Sequence, residues 1–267
     1  MVRRPHALAA GCAALAALLW ALAVFAHPVA RLDAAALIGF TGLDGDRVHP
    51  FAEAVASFGD PGSFAVLSAA LIAGALLRGR PRTAVAVAVV LLGSSVTTQV
   101  LKPLLAATRD AGWLETPVDT AAWPSGHATA AMALALGLVL VAPRRWRPYA
   151  GVAGAAFAAT VGYAILVLGW HYPSDVLGGV LVATAWTLGA VGVLRPAEAP
   201  LHARALVPPS LAVGGAAVAV AAAVVLPRLG AVLAYAQEHT AFAATVPALA
   251  LLALVTASAT ALLARQG

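Results

Sequence analysis

Apolar residues in this chain fall in long uninterrupted runs, separated by short polar or basic gaps. Eight such runs are readable, at about 7–26, 62–77, 83–104, 125–142, 150–169, 175–194, 208–226 and 241–264. Most approach the ~20 residues that a helix needs to cross the hydrocarbon core of a bilayer. A helix is the expected form of each, because lipid offers no partner to an open backbone N–H or C=O. The second run is the shortest. The stretch 27–61 is different: Leu37, Ile38, Phe40, Phe51, Val55 and Phe58 alternate irregularly with Asp33, Asp44, Asp46 and Asp60. It reads as an interfacial loop carrying one or two short amphipathic helices. The first run follows Arg3 and Arg4 and ends in Val24-Phe25-Ala26, as a signal peptide does, but its apolar stretch is long for one. It is read as a retained span.

Composition reinforces this pattern. The chain is 62% hydrophobic and 10% charged, against about 25% charged in an ordinary soluble domain. Ala, Val, Leu and Gly dominate, and small residues let membrane helices approach closely. The expected fold class is therefore an all-α membrane protein, a polytopic helical bundle.

The net charge of +5 is spread in short clusters between apolar runs. That suits membrane orientation and gives no nucleic-acid surface. With Cys12 as the one cysteine, neither an intrachain disulfide nor a cysteine metal site is possible. Eleven arginines, from Arg3 to Arg265, fall in the termini and alternate gaps. Arg31, Arg47, Arg109, Arg228 and Lys102 fall on the other side, with every acidic residue except Glu198. Positive charge collects on the cytoplasmic face, so both termini are expected there, in a multi-pass cell-membrane protein. The loops 27–61, 105–124, 170–174 and 227–240 then face outward.

Ionisable groups at membrane depth are costly and mark functional sites. Three groups reach the expected outer face: Lys102 and Arg109, then Pro124-Ser125-Gly126-His127, then His171-Tyr172-Pro173-Ser174-Asp175. Lys102 and Arg109 offer fixed positive charge, and an arginine fork matches phosphate oxygens. A helix opening at Pro-Ser-Gly presents free N–H groups to an anion; Gly126 permits close approach, and Ser125 adds a hydroxyl while also suiting an N-cap. Of two histidines beside a bound phosphate, one can attack phosphorus while the other protonates the leaving oxygen. Asp175, four residues after His171, can fix the imidazole tautomer. Trp113, Trp123 and Trp170 read as interfacial aromatics, and Thr97, Thr98 and Gln99 as groups that face the bundle or bond across helices.

These residues resemble the type 2 phosphatidic acid phosphatase superfamily, or lipid phosphate phosphatases, whose soluble relatives include vanadium haloperoxidases. Its three blocks match Lys102 to Arg109, Pro124 to His127, and His171 to Asp175. The resemblance implies a six-helix phosphatase core over residues 1–200, its motif-bearing part about 30–194; outside it, the last two apolar runs predict two additional C-terminal transmembrane helices in 201–267. It also implies roles. His171 would be the nucleophile that forms a phosphohistidine, Asp175 its orienting partner, and His127 the acid for the leaving group. Lys102, Arg109, Ser125 and the Gly126 amide would hold phosphate oxygens. The family uses no metal or other cofactor. Its substrates would be phosphorylated lipids: phosphatidic acid, phosphatidylglycerol phosphate or polyprenyl pyrophosphates.

Two positions depart from the family. Asp110 stands where Pro usually follows the arginine, and Ala164-Ile165 stands where the third block usually carries Ser-Arg. Arg31, Arg47 and Arg228 are the candidate replacements for that missing cation. The departure also leaves open a catalytically impaired relative that binds or transports phosphorylated lipids, or a scaffold without ligand.

Overall fold

The computed structural model describes residues 3–109, 118–193, 215 and 226–264. All the regular structure in these residues is helical. The order is α1 (Arg3–Phe25), α2 (His27–Thr41), α3 (Val48–Ala56), α4 (Pro61–Leu77), α5 (Pro81–Leu104), α6 (Gly126–Val141), α7 (Arg147–Val167), α8 (Pro173–Val193), α9 (Leu229–Glu238) and α10 (Thr240–Leu263). Prolines in the first turn start α2, α4, α5 and α7, where the missing N–H costs no hydrogen bond. Gly79 and Gly169 take φ of +67° and +70° just after α4 and α7, the left-handed turn that ends a helix and for which glycine is suited.

Five helices, α1, α5, α7, α8 and α10, are long and apolar enough to cross a membrane. A sixth span results if α3 and α4, which meet at a 52° bend, are counted together. The chain is an integral membrane protein of the helical class. The expected span at 125–142 is shorter than sequence hydropathy suggests. Ser125 caps it, so α6 has 16 residues, and it is buried along nearly its whole length. A helix sheathed by α5, α7 and α8 does not need to match the full lipid thickness itself. The expected span at 208–226, apart from residues 215 and 226, lies outside the described residues.

Small residues set the packing. A Cβ added to Gly154 of α7 would come within 2.9 Å of Ala135 on α6, so the two backbones approach closely, as membrane interfaces with little hydrophobic driving force require. The helix α10 packs on α7, with Tyr163 donating to the Val246 carbonyl at 2.6 Å and buried Arg147 donating to the Ala264 carbonyl at 2.6 Å. Arg80 donates to the Val141 and Leu140 carbonyls at 2.8 and 3.2 Å, capping the C-terminus of α6 where the helix dipole favours a cation.

The stretch 27–61 carries two helices, α2 and α3, in line with the one or two expected, but α2 is packed into the bundle. Its α2 buries Asp33, Ala34, Ala36, Leu37 and Phe40 against α7, α10 and α1. Mixed polarity misleads here because one of its acidic groups, Asp33, points inward to polar partners.

Candidate active site

The three motif groups meet at one end of the bundle: the C-terminus of α5 and the N-termini of α6 and α8. The second and third are joined directly, since the Ser125 N–H donates to the Asp175 carbonyl at 3.0 Å. A pair of glycines makes that approach possible. A Cβ on Gly179 would lie 2.7 Å from the Ser125 carbonyl oxygen and 2.9 Å from Thr129 Oγ1, and one on Gly178 would lie 2.8 Å from the Trp123 indole. Trp123 is consequently buried in the bundle, 3% exposed, and is not an interfacial aromatic. Trp170 is 41% exposed, with its ring 5.4 Å from that of His127. Trp113 lies outside the described residues. Thr98 and Thr97 bond across helices, Thr98 donating to Thr129 at 3.2 Å and Trp186 donating to Thr97 at 3.0 Å; Gln99 is exposed.

His171 sits on the turn after Gly169, almost fully buried, and its Nδ1 faces Asp175 Oδ2 at 3.5 Å. That is within ion-pair range, but the alignment falls short of a hydrogen bond. Such contacts are often long without substrate and tighten in the complex. Asp175 Oδ2 also accepts the Tyr172 N–H at 2.9 Å. With Nδ1 turned to the carboxylate, Nε2 is the nitrogen left for chemistry.

His127 is the second residue of α6. Its Nε2 lies 3.2 Å from Asp60 Oδ1, and Gly59 packs beneath it so closely that a Cβ there would lie 2.6 Å from the ring. Lys102 has its ammonium 3.9 Å from the position a Cβ on Gly126 would take. As the first two residues of the helix, Gly126 and His127 present N–H groups without intrahelical acceptors. A cavity of about 310 Å³ opens beside them, lined by Lys102, Gly126 and His127, by Gly59, Pro61 and Phe64, and by Ser94, Ser95, Thr98 and Gln99 among others. His171 is not among its lining residues. A larger cavity, about 530 Å³, lies at the opposite end between His6, Arg82 and Trp186 and holds none of the motif residues.

Ser125 and Arg109, expected to hold phosphate oxygens, are engaged within the protein. Ser125 is fully buried, and its hydroxyl accepts the Ala128 N–H at 3.3 Å as the cap of α6. Arg109 bridges two carboxylates. Its Nη1 donates to Asp33 Oδ2 at 3.2 Å and to Ser174 Oγ at 3.0 Å, and its Nη2 bonds Asp175 Oδ1. The guanidinium lies over the Tyr172 ring, 4.6 Å from its centroid. Burial first, and then the nearby Asp175 charge, push the Asp33 carboxyl up to about 6.

No cation replaces the missing arginine of the third block at its own position. Ala164 and Ile165 are 6% and 0% exposed and belong to an apolar cluster with Leu37, Phe40 and Val176. Arg31, Arg47 and Arg228 are exposed, and among the described residues none bonds to a site residue. Sequence reasoning missed Asp33, Asp60, Gly59 and Gly179. Their signal is an acidic or glycine position in a segment that reads as loop or span, with the partner far along the chain.

Residues 82–198 match the family described as the PAP2 superfamily. This segment of the chain belongs to the PAP2 superfamily. It contains Lys102, Arg109, Ser125, His127, His171 and Asp175, and excludes Asp33 and Asp60. The PAP2 fold extends over more of the chain. The structure is similar to the crystal structure of the first transmembrane PAP2 type phosphatidylglycerolphosphate phosphatase from Bacillus subtilis. The TM-score is 0.58 and the sequence identity 16%, covering 69% of this chain and 94% of that one. At that identity the likeness speaks to the fold. A comparison with curated proteins finds none that matches.

Proposed function

We propose that the chain hydrolyses a lipid phosphate or pyrophosphate through a phosphohistidine on His171, at the extracytoplasmic end of the bundle. The observation that carries this reading is the convergence of His127, Lys102 and the start of α6 with His171 and Asp175, tied by the Ser125–Asp175 backbone bond. The Bacillus subtilis protein of similar fold is a phosphatidylglycerolphosphate phosphatase, so that class of lipid heads the candidates, with phosphatidic acid and polyprenyl pyrophosphates beside it.

Each step has a residue. Lys102 and the open N–H groups of α6 hold the phosphate oxygens. Nε2 of His171 attacks phosphorus as the bond to the leaving oxygen breaks, and His127 delivers a proton to that oxygen. The phosphorylated ring carries positive charge, which Asp175 offsets. Water then attacks phosphorus, His127 takes its proton, and phosphate leaves with His171 restored. The scheme assigns every charge to a side chain and draws on no metal.

A second reading, a relative that binds phosphorylated lipids without turnover, is favoured by Ile165 in place of a cation and by the occupied guanidinium of Arg109. A panel of lipid phosphates assayed with purified protein in EDTA separates the two. Phosphate release from at least one lipid supports hydrolysis. Saturable lipid binding with no release supports the second reading.

A further inference from the structure

Asp33 lies outside the segment matched to the PAP2 superfamily, 141 residues before Ser174, yet both of its oxygens are engaged at the start of α8. Oδ1 accepts the Ser174 N–H at 2.9 Å, while Oδ2 accepts the Ser174 hydroxyl at 2.5 Å and Arg109 Nη1 at 3.2 Å. Arg109 passes the contact on, with Nη2 on Asp175 Oδ1, and the other oxygen of Asp175 faces His171. We propose that Asp33 is a positioning residue for His171. By fixing Arg109 and Ser174 it holds Asp175 in the orientation that turns Oδ2 to the imidazole. The inference rests on the reading of His171 as the nucleophile.

Geometry and charge both argue for it. Asp175 is fully buried and Asp33 nearly so, and two buried carboxylates are tolerated together only if they share a cation with good geometry. The Arg109 guanidinium supplies it, held from above by the Tyr172 ring. With Asp33 ionised, two carboxylates and one guanidinium leave a single negative charge beside His171. That is the charge needed to offset the ring once Nε2 carries a phosphoryl group. If Asp33 were neutral, Arg109 would be balanced by Asp175 alone. The excess negative charge would vanish, and the fork would lose the partner that sets its angle.

The test uses the full chain, reconstituted with a lipid phosphate that the wild type hydrolyses, and compares D33N, R109Q and the double variant. D33N is expected to lower kcat by roughly 10–100-fold, as loss of the partners that orient metal-ligating histidines does, with KM nearly unchanged. Because Asp33 acts through Arg109, D33N should add little in the R109Q background, a non-additivity that independent structural damage does not produce. If D33N does not fold, S174A removes one of the same contacts and should show a smaller loss with the same non-additivity. Wild-type kcat in D33N, or losses that multiply in the double variant, would overturn the inference while leaving the phosphatase reading intact. Absence of turnover by the wild type on every lipid phosphate would overturn the reading of the site, and this inference with it.

Discussion

Nε2 of His127 lies 3.2 Å from Oδ1 of Asp60, across 67 residues of sequence. Asp60 is the residue before α4 and is half-exposed. A carboxylate at that atom orients the ring so that it can pass a proton to the leaving oxygen. H127A should lower kcat by about 100-fold or more, within the usual range for a general acid, and D60N by a smaller factor. Steady-state kinetics on one lipid phosphate checks both; equal activity in D60N and wild type removes Asp60 from the scheme.

Gly179 and Gly189 lie on the same helix and predict opposite outcomes for alanine. At Gly179 a Cβ would press to 2.7 Å on the backbone oxygen of Ser125, whereas at Gly189 it meets nothing within 4 Å. G179A is expected to displace the start of α6 and abolish most activity. G189A should keep wild-type activity and melting temperature.

The bundle was legible because long apolar runs leave helices as the sole form that satisfies the backbone in lipid, and the motif residues because their spacings survive in local sequence. Asp33, Asp60 and Gly179 were not legible, since each acts on a residue many positions away and has no local pattern of its own. The same reason hid the burial of Trp123, which needs the slot made by Gly178. The segment containing α2 read as an interface because Asp33 interrupts its apolar residues, and only the tertiary partners Ser174 and Arg109 explain a buried acid there.

The burial of Asp33 fixes the sign of its effect on stability. Its folded carboxyl is raised from 3.8 to about 6, so the folded state holds the proton more tightly than the unfolded chain. The contribution to stability is fully present below pH 3.8 and is lost as pH rises through about 6, on the order of 3 kcal/mol at most. D33N, neutral at every pH, should lack this dependence: between pH 3.8 and 7.5 the wild type should lose stability relative to it, most of it by about pH 6. Melting temperatures of D33N and wild type that keep a constant difference from pH 4 to 7.5 contradict this assignment.

Restoring the family's arginine is not expected to restore a phosphate ligand. Ile165 is fully buried among apolar neighbours, and an unpaired charge placed there costs several kcal/mol. I165R should lower the melting temperature and leave phosphate release no faster than wild type. A stable I165R with higher kcat/KM would show that the position faces the phosphate after all.

Hydrolysis by this route passes through a covalent phosphate on His171. Incubation with a lipid carrying labelled phosphate, quenching in alkali and mass spectrometry of the peptide containing His171 tests it most directly. The wild type should yield an acid-labile phosphoryl group on His171, and H171A should yield neither the label nor phosphate release. Wild-type turnover by H171A, or a phosphoryl group on another residue, would contradict the account.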